Sequence, residues 1–278
     1  MPAQNDEGLP PIVLLMTAHN RQSSLEQSLA SLEPEIHLLD IVLVDDGSGP
    51  SIINIDKFSH YPIHLIRLPE NRGAIAASNA GLEYIYTKNY EFIARLDSDD
   101  IIINQRFTRQ LEFMRLHPEI GIIGSHFHVN IAGYILRDFY RPIDNKSIKK
   151  AMYIGNMLHH STLIMRTDTA RKTGFYDVSF KVAGDYDFCW RMLDITQAAN
   201  LPDALIEYEY SRSGSLSSSR RHLQIRNGLR IKLRRFNALN VYAYCGILAS
   251  LMDMAGITNS EYVSKIKKYI ARLLFKLY

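Results

Sequence analysis

The chain has 278 residues, 46% hydrophobic and 22% charged, with a formal net charge of +3. Those values fit one large domain or one domain plus an appendage, with the composition of an ordinary globular protein. With only two cysteines, Cys189 and Cys245, neither a disulfide scaffold nor a cysteine-rich metal site is expected, and a reducing cytoplasmic setting is.

Residues 1–11 (MPAQNDEGLPP) have no basic start and no long apolar run, so no signal peptide is expected. Residues 12–16 (IVLLM) form a short apolar run that predicts a buried strand. Ser23 and Ser24 can cap a helix with Leu25, Leu29 and Leu32 on one face, stopped by Pro34. Residues 41–44, 63–66 and 92–96 predict three further strands, and the alanine-rich stretch 73–86 a helix between the last two. This alternation predicts an α/β fold, a mostly parallel central sheet with helices on both faces. In such sheets ligands bind beyond the carboxyl ends of the strands. Asn20-Arg21, Asp45-Asp46 and residues 97–100 all fall at such ends.

Further along, 104–117 predicts a helix ended by Pro118. Residues 120–130, 158–166 and 205–210 predict strands, and 185–193 a helix. Serines at 215–219 interrupt the pattern, and from Arg220 it is helical and basic. The expected division is a domain over 1–217, with halves of about 10–100 and 101–217, and a helical C-terminal extension over 218–278.

The chemistry concentrates in Arg95-Leu96-Asp97-Ser98-Asp99-Asp100, three carboxylates directly after an apolar strand. Unpaired acids there repel one another and are costly to bury. A hard divalent cation, Mg²⁺ or Mn²⁺, relieves both costs and can bridge carboxylates to phosphates. Asp45-Asp46-Gly47 follows another strand, and its acids can accept hydrogen bonds from a nucleobase or ribose. Arg72, in Asn71-Arg72-Gly73, can pair with a phosphate. Asp185 opens a helix and is a candidate general base, while Asp187 stands four residues before Arg191, the spacing of an ion pair. His159 and His160 precede an apolar run; on a strand they would face opposite ways, so at most one would reach a metal, phosphate or acceptor sugar. Arg212, in the serine-rich loop after the last strand, can fold over a diphosphate or serve as a linker residue.

Taken in order, Thr17-Ala18-His19-Asn20-Arg21, Val44-Asp45-Asp46-Gly47-Ser48, Asn71-Arg72-Gly73, Leu96-Asp97-Ser98-Asp99-Asp100 and Gly184-Asp185-Tyr186-Asp187 resemble the family 2 inverting glycosyltransferases of GT-A fold. The resemblance runs from about Ile12 to Ser217. It implies a nucleotide-diphosphate sugar donor, UDP by family habit with GDP and dTDP open, and a Mn²⁺ or Mg²⁺ cofactor. It places Thr17, Asn20, Arg21, Asp45, Asp46, Arg72, Asp97 and Ser98 around the nucleotide sugar. Asp99, Asp97 and His160 would face the metal, Asp185 would be the base, and His159, Asp187 and Arg212 would lie near acceptor or diphosphate. Family members often carry Glu-Asp where this chain has Gly184-Asp185, which puts the holding of the acceptor in question. The Gln-x-x-Arg-Trp motif and long membrane spans of processive synthases are missing, so transfer of a single sugar to a glycan or lipid-linked acceptor in surface polysaccharide assembly is implied.

Two other readings compete. A sugar-phosphate nucleotidyltransferase would want a glycine-rich basic loop after the first strand, and Thr17–Arg21 has no glycine. A nucleic-acid-binding protein could use the basic tail, but the acidic crevice opposes it and no nucleic-acid partner is expected. Between Arg220 and Arg235 there are seven Lys/Arg and no acid, and Lys265, Lys267, Lys268, Arg272 and Lys276 alternate with apolar residues near the end. That pattern suits an anionic membrane surface, with the protein peripheral on the inner face of the cytoplasmic membrane.

Overall fold

The computed structural model describes residues 10–49, 54–131, 134–209 and 221–256. The first half alternates strand and helix: β1 (Ile12–Ala18), α1 (Gln22–Ala30), β2 (Leu39–Asp45), β3 (Ile63–Arg67), α2 (Ala74–Ile85) and β4 (Phe92–Asp97). Then follow β5 (Ile101–Ile102), α3 (Arg106–Leu116), β6 (Ile120–Ile131), β7 (Tyr134–Phe139), α4 (Asn145–Met152), β8 (Ile164–Arg166), α5 (Thr167–Thr173), α6 (Gly184–Ile195) and β9 (Gln197–Glu209). Two helices, α7 (Arg221–Arg234) and α8 (Val241–Met254), complete the described chain.

All nine strands join one sheet in the order β3-β2-β1-β4-β8-β6-β9-β5, with β7 on β6. β3, β2, β1 and β4 are parallel, as their helical crossovers require. From β8 on the sheet is mixed: β8 runs antiparallel to both β4 and β6, and β6 pairs β9 in parallel. β1 shows why apolar runs mark buried strands. Ile12, Leu14 and Met16 pack on one side with Leu25 of α1 and Phe107 of α3, while Val13 and Leu15 pack on the other with Leu82 of α2 and Phe188 of α6. Covered on both sides, the strand needs no polar alternation.

Residues 158–166, expected as a strand, are so only from Ile164. Before it, His160–Thr162 form a single 3₁₀ turn. The Thr162 hydroxyl donates to the His159 carbonyl at 2.8 Å, the kind of local bond by which Ser and Thr compete with extended backbone. The histidines therefore do not alternate across a sheet.

The hairpin of α7 and α8 docks on α6 and the segments beside it. Asn227 donates to the Val182 carbonyl at 3.0 Å, and Arg235 pairs with Asp194. Arg230 and Arg234 lie over the Phe180 ring. The boundary expected at 215–219 and the basic segment 265–276 lie outside the described residues.

Candidate active site

Parallel register sets the first part of the site. Thr17 of β1 lies opposite Val44 of β2 and Asp97 of β4, and Ala18 opposite Asp45. Three strands thus release their loops at one edge. Asn20, in a left-handed conformation (φ 53°), ties two loops together: its amide donates to Ser48 Oγ at 3.0 Å, and its Oδ1 accepts from the Gly49 amide at 2.9 Å. Arg21 spans to the third loop, its Nη1 2.8 Å from Asp99 Oδ2.

Asp45 and Asp46 are both buried. Asp45 accepts from the Ser48 amide at 3.0 Å and from Arg67 at 3.2 Å. Asp46 grips the loop before α2, accepting from the amides of Arg72 at 2.8 Å and Gly73 at 2.9 Å. In this arrangement the pair organises the loop. Gly47 (φ 63°) is required directly after them, because a Cβ there would stand 2.2 Å from the Glu70 backbone. The Arg72 side chain is exposed and lines a groove of about 300 Å³ along α2 with Phe175 and Val178.

The acidic triplet divides by depth. Burial raises Asp97, yet His160 and Arg95 outweigh it and hold its carboxyl well below the usual carboxylate range. His160 Nδ1 lies 3.3 Å from Asp97 Oδ1, while its Nε2 meets Arg95 Nε at 3.2 Å and Tyr176 OH at 3.1 Å. Both ring nitrogens of His160 therefore face protein partners. Asp99 is pushed up by burial and by the Asp97 charge, against the pull of Arg21. Asp100 is fully buried and accepts from the Glu209 amide at 3.3 Å. Ser98 is buried beside them. His159 rests against the rings of Phe127 and Tyr208, centroids 4.1 Å and 5.2 Å away.

Among the described residues no three His, Cys, Asp or Glu side chains gather as a closed metal site. That suits Mg²⁺ or Mn²⁺ shared with phosphates, which takes only one or two protein carboxylates. Asp97 and Asp99 are the candidate carboxylates for such an ion: burial first, and then the Asp97 charge, raise Asp99, and a cation would relieve that repulsion.

Asp185 stands apart from these loops, in the first turn of α6. Ala183 precedes it in a left-handed conformation (φ 63°), strain of a kind concentrated at functional sites. Asn156 Nδ2 donates to Asp185 Oδ2 at 2.9 Å. The carboxylate lines a cavity of about 350 Å³ between α6 and the hairpin, whose far wall includes Arg221, Gln224, Lys232, Ser250 and Asp253. Tyr176 joins the two parts: it touches His160 and feels the charges of Arg95 and Asp185. Asp187 is not in that cavity. It is buried and pairs with Arg191 at 2.8 Å, and Arg191 also donates to the carbonyls of Thr173 and Phe175. Arg212 lies outside the described residues. Sequence reading missed Asn156, Tyr176 and Arg95; only the last had a signal, a basic residue inside an apolar strand.

The model of glycosyl transferase family 2 matches residues 13–174. The amylovoran biosynthesis glycosyltransferase AmsE of Erwinia amylovora is 29% identical over 73% of this chain and 76% of its own. The O-antigen biosynthesis glycosyltransferase WbnJ of Escherichia coli is 26% identical over 76% and 84%. In fold, S. aureus TarS residues 1–349 in complex with UDP-GlcNAc superposes with a TM-score of 0.65 at 15% identity, over 87% of this chain and 72% of that one. The mannosyltransferase PcManGT from Pyrobaculum calidifontis, in complex with GDP-Man and Mn²⁺, gives 0.60 at 13% identity, over 95% and 80%. With more than half of its length matched by the family model, and the strand-end acids in place on a GT-A-like sheet, the chain belongs to glycosyl transferase family 2.

Proposed function

We propose that the protein moves one sugar from a nucleotide-diphosphate sugar, a UDP-sugar first among the candidates, to a hydroxyl of a glycan or lipid-linked acceptor. The reaction is a single displacement that inverts the anomeric centre, and the product belongs to a surface polysaccharide. One observation carries the reading: carboxylates at the shared edge of β1, β2 and β4 stand apart from a carboxylate, Asp185, held at the wall of its own cavity. The relatives that build amylovoran and O-antigen support the polysaccharide, and the neighbours bound to UDP-GlcNAc and GDP-Man support the donor.

Each residue has a task. Asp97, turned by His160 and Arg95, accepts from ribose hydroxyls. The Asn20, Ser48 and Gly49 bonds hold the nucleotide loop, and Thr17 and Ser98 at the ends of β1 and β4 contact the nucleotide sugar. Asp97 and Asp99 would hold Mg²⁺ or Mn²⁺, which neutralises the departing diphosphate. Arg21, beside Asp99, adds positive charge for the same group. Asp185 takes the proton from the acceptor hydroxyl as that oxygen attacks the anomeric carbon and the bond to the diphosphate breaks. No covalent sugar–enzyme intermediate forms, so one base suffices. The basic C-terminal segment brings the protein to the inner face of the cytoplasmic membrane.

Ligand binding to the native state raises its stability by mass action. A thermal-shift screen of UDP, GDP, dTDP and CMP, with and without Mn²⁺, on wild type and Asp99→Ala tests the donor side. A Mn²⁺-dependent shift with one nucleotide diphosphate, absent from Asp99→Ala, is expected. No shift with any nucleotide overturns the reading.

A further inference from the structure

α8 is built inside out for a helix facing water. Its small residues Ala243, Gly246 and Ser250 are the buried ones. A Cβ at Gly246 would stand 1.8 Å from the Tyr153 carbonyl oxygen, so the helix backbone lies directly on that segment. The large apolar residues point the other way: Val241, Tyr244, Leu248 and Leu251 are 62%, 51%, 60% and 48% exposed. Their spacing of three, four and three residues places them on one stripe. The connection from α7 extends it with Phe236 and with Leu239, which is 98% exposed. A contiguous apolar patch of this kind marks a surface that something covers.

Charge identifies the cover. Residues 220–278 hold 12 Lys/Arg against two acids, whereas residues 1–219 hold 20 against 27. On α7, Arg234 and Arg235 are engaged with Asp177 and Asp194, while Arg221 and Arg226 stand exposed. A second copy would bring the same excess of Lys and Arg in its own residues 220–278, and like charge across a contact costs affinity. A bilayer with anionic headgroups matches both features at once. It takes apolar side chains at the acyl boundary and attracts Lys and Arg at the headgroups. No helix among the described residues is long and apolar enough to cross a membrane, so the contact is with one leaflet. We propose that α8 seats the protein on an anionic lipid bilayer through Val241, Tyr244, Leu248 and Leu251. Ser250 and Asp253 on the same helix line the Asp185 cavity. The bilayer then lies about one helix diameter, ~10 Å, from the cavity wall, the side from which a lipid-borne acceptor arrives if Asp185 is the base, as proposed above.

The test is flotation of the full chain with vesicles of equal parts phosphatidylcholine and phosphatidylglycerol, and with phosphatidylcholine alone. Wild type is expected to float with the anionic vesicles only. The Leu248→Glu/Leu251→Glu variant should partition on the order of tenfold more weakly, with an unchanged circular-dichroism melt and an unchanged nucleotide thermal shift. In a Leu248→Trp variant, anionic vesicles should shift the added tryptophan emission to the blue. Three results overturn the proposal. The double variant floats like wild type, wild type does not float, or wild type sediments as a dimer that the double variant dissolves. Because nucleotide binding is read separately, failure here is distinguishable from failure of the donor reading.

Discussion

Asp185 depends on one neighbour. Asn156 donates to its Oδ2 at 2.9 Å and accepts from the Leu158 amide through Oδ1 at 3.2 Å, so the amide fixes one carboxylate oxygen of a residue that lines the cavity. If Asp185 is the base, Asp185→Asn lowers transfer by about 10²–10⁴-fold with nucleotide binding intact. Asn156→Ala then lowers kcat by about tenfold at unchanged donor KM, because it loosens the base without touching the donor. Asn156→Asp should be worse than alanine, since it sets like charge against Asp185. Steady-state kinetics of the three variants decide it, and a donor KM that rises with the fall in kcat would refute the positioning role. His159 gives a second residue-scale expectation. Burial, with Arg141 beside it, pushes its imidazole down to about 3. Between that value and the ordinary 6.5, the unfolded chain binds a proton that the native chain refuses, so stability falls as pH drops through this window. Wild type should lose about 1–2 kcal/mol more than His159→Gln between pH 7 and pH 5. Urea midpoints across that range measure it, and parallel curves would mean that the imidazole is not held neutral.

α2 and α6 show how neighbouring elements set the surroundings of Asp185. A Cβ at Gly184 would meet Ile75 Cδ1 at 2.5 Å, so a glutamate at this position requires the Ile75 side chain to shift. Gly184→Glu should cost about 1–3 kcal/mol by overpacking. Ile75→Ala in the same chain should recover most of it, and chemical denaturation of the single and double variants reads the difference. Equal loss in both would place the conflict elsewhere than at Ile75. The motif alone shows only that the glutamate is missing; the close approach of Ile75 is a contact between residues more than a hundred positions apart. The same distinction runs through the fold. β1, β2 and β4 were legible because strands covered on both faces are continuous apolar runs ending in turn residues. β5 and β8 are two and three residues long, and only pairing with distant strands makes them strands at all. The 160–162 turn was hidden for a different reason, since side-chain hydroxyls rather than apolar periodicity decide it. At the site, the acids could be found as a cluster, but not their division of labour. Asp46 is committed to the amides of Arg72 and Gly73, and Asp97 to His160, contacts that no local pattern encodes.

Across the whole molecule, the two halves of the candidate site rest on different supports. The proposed nucleotide side is made by the ends of β1, β2 and β4, whose buried residues fill both sides of the sheet. The Asp185 cavity instead has the hairpin as its far wall, and α8 meets α4 and the segment after it through Gly246 against Tyr153 and Tyr242 beneath Lys150. Tyr153 lies three residues before Asn156, which holds Asp185. A side chain at position 246 meets backbone, so no rotamer change relieves it, and α8 or the 153–156 segment must move. Gly246→Val also disturbs the helix pair directly, because Lys232 donates to the Gly246 carbonyl at 3.2 Å and to Ser250 Oγ at 2.8 Å. Its expected effect is therefore split. The nucleotide thermal shift stays as in wild type, since none of its strand-end loops is built on the hairpin. Transfer to acceptor falls by about 10–100-fold, the penalty of a displacement on the ångström scale at the reacting groups. If both readouts fall together, the hairpin supports the whole domain and not the acceptor side alone. If transfer is unaffected while near-ultraviolet circular dichroism reports a displaced hairpin, the cavity at Asp185 is not where the acceptor binds.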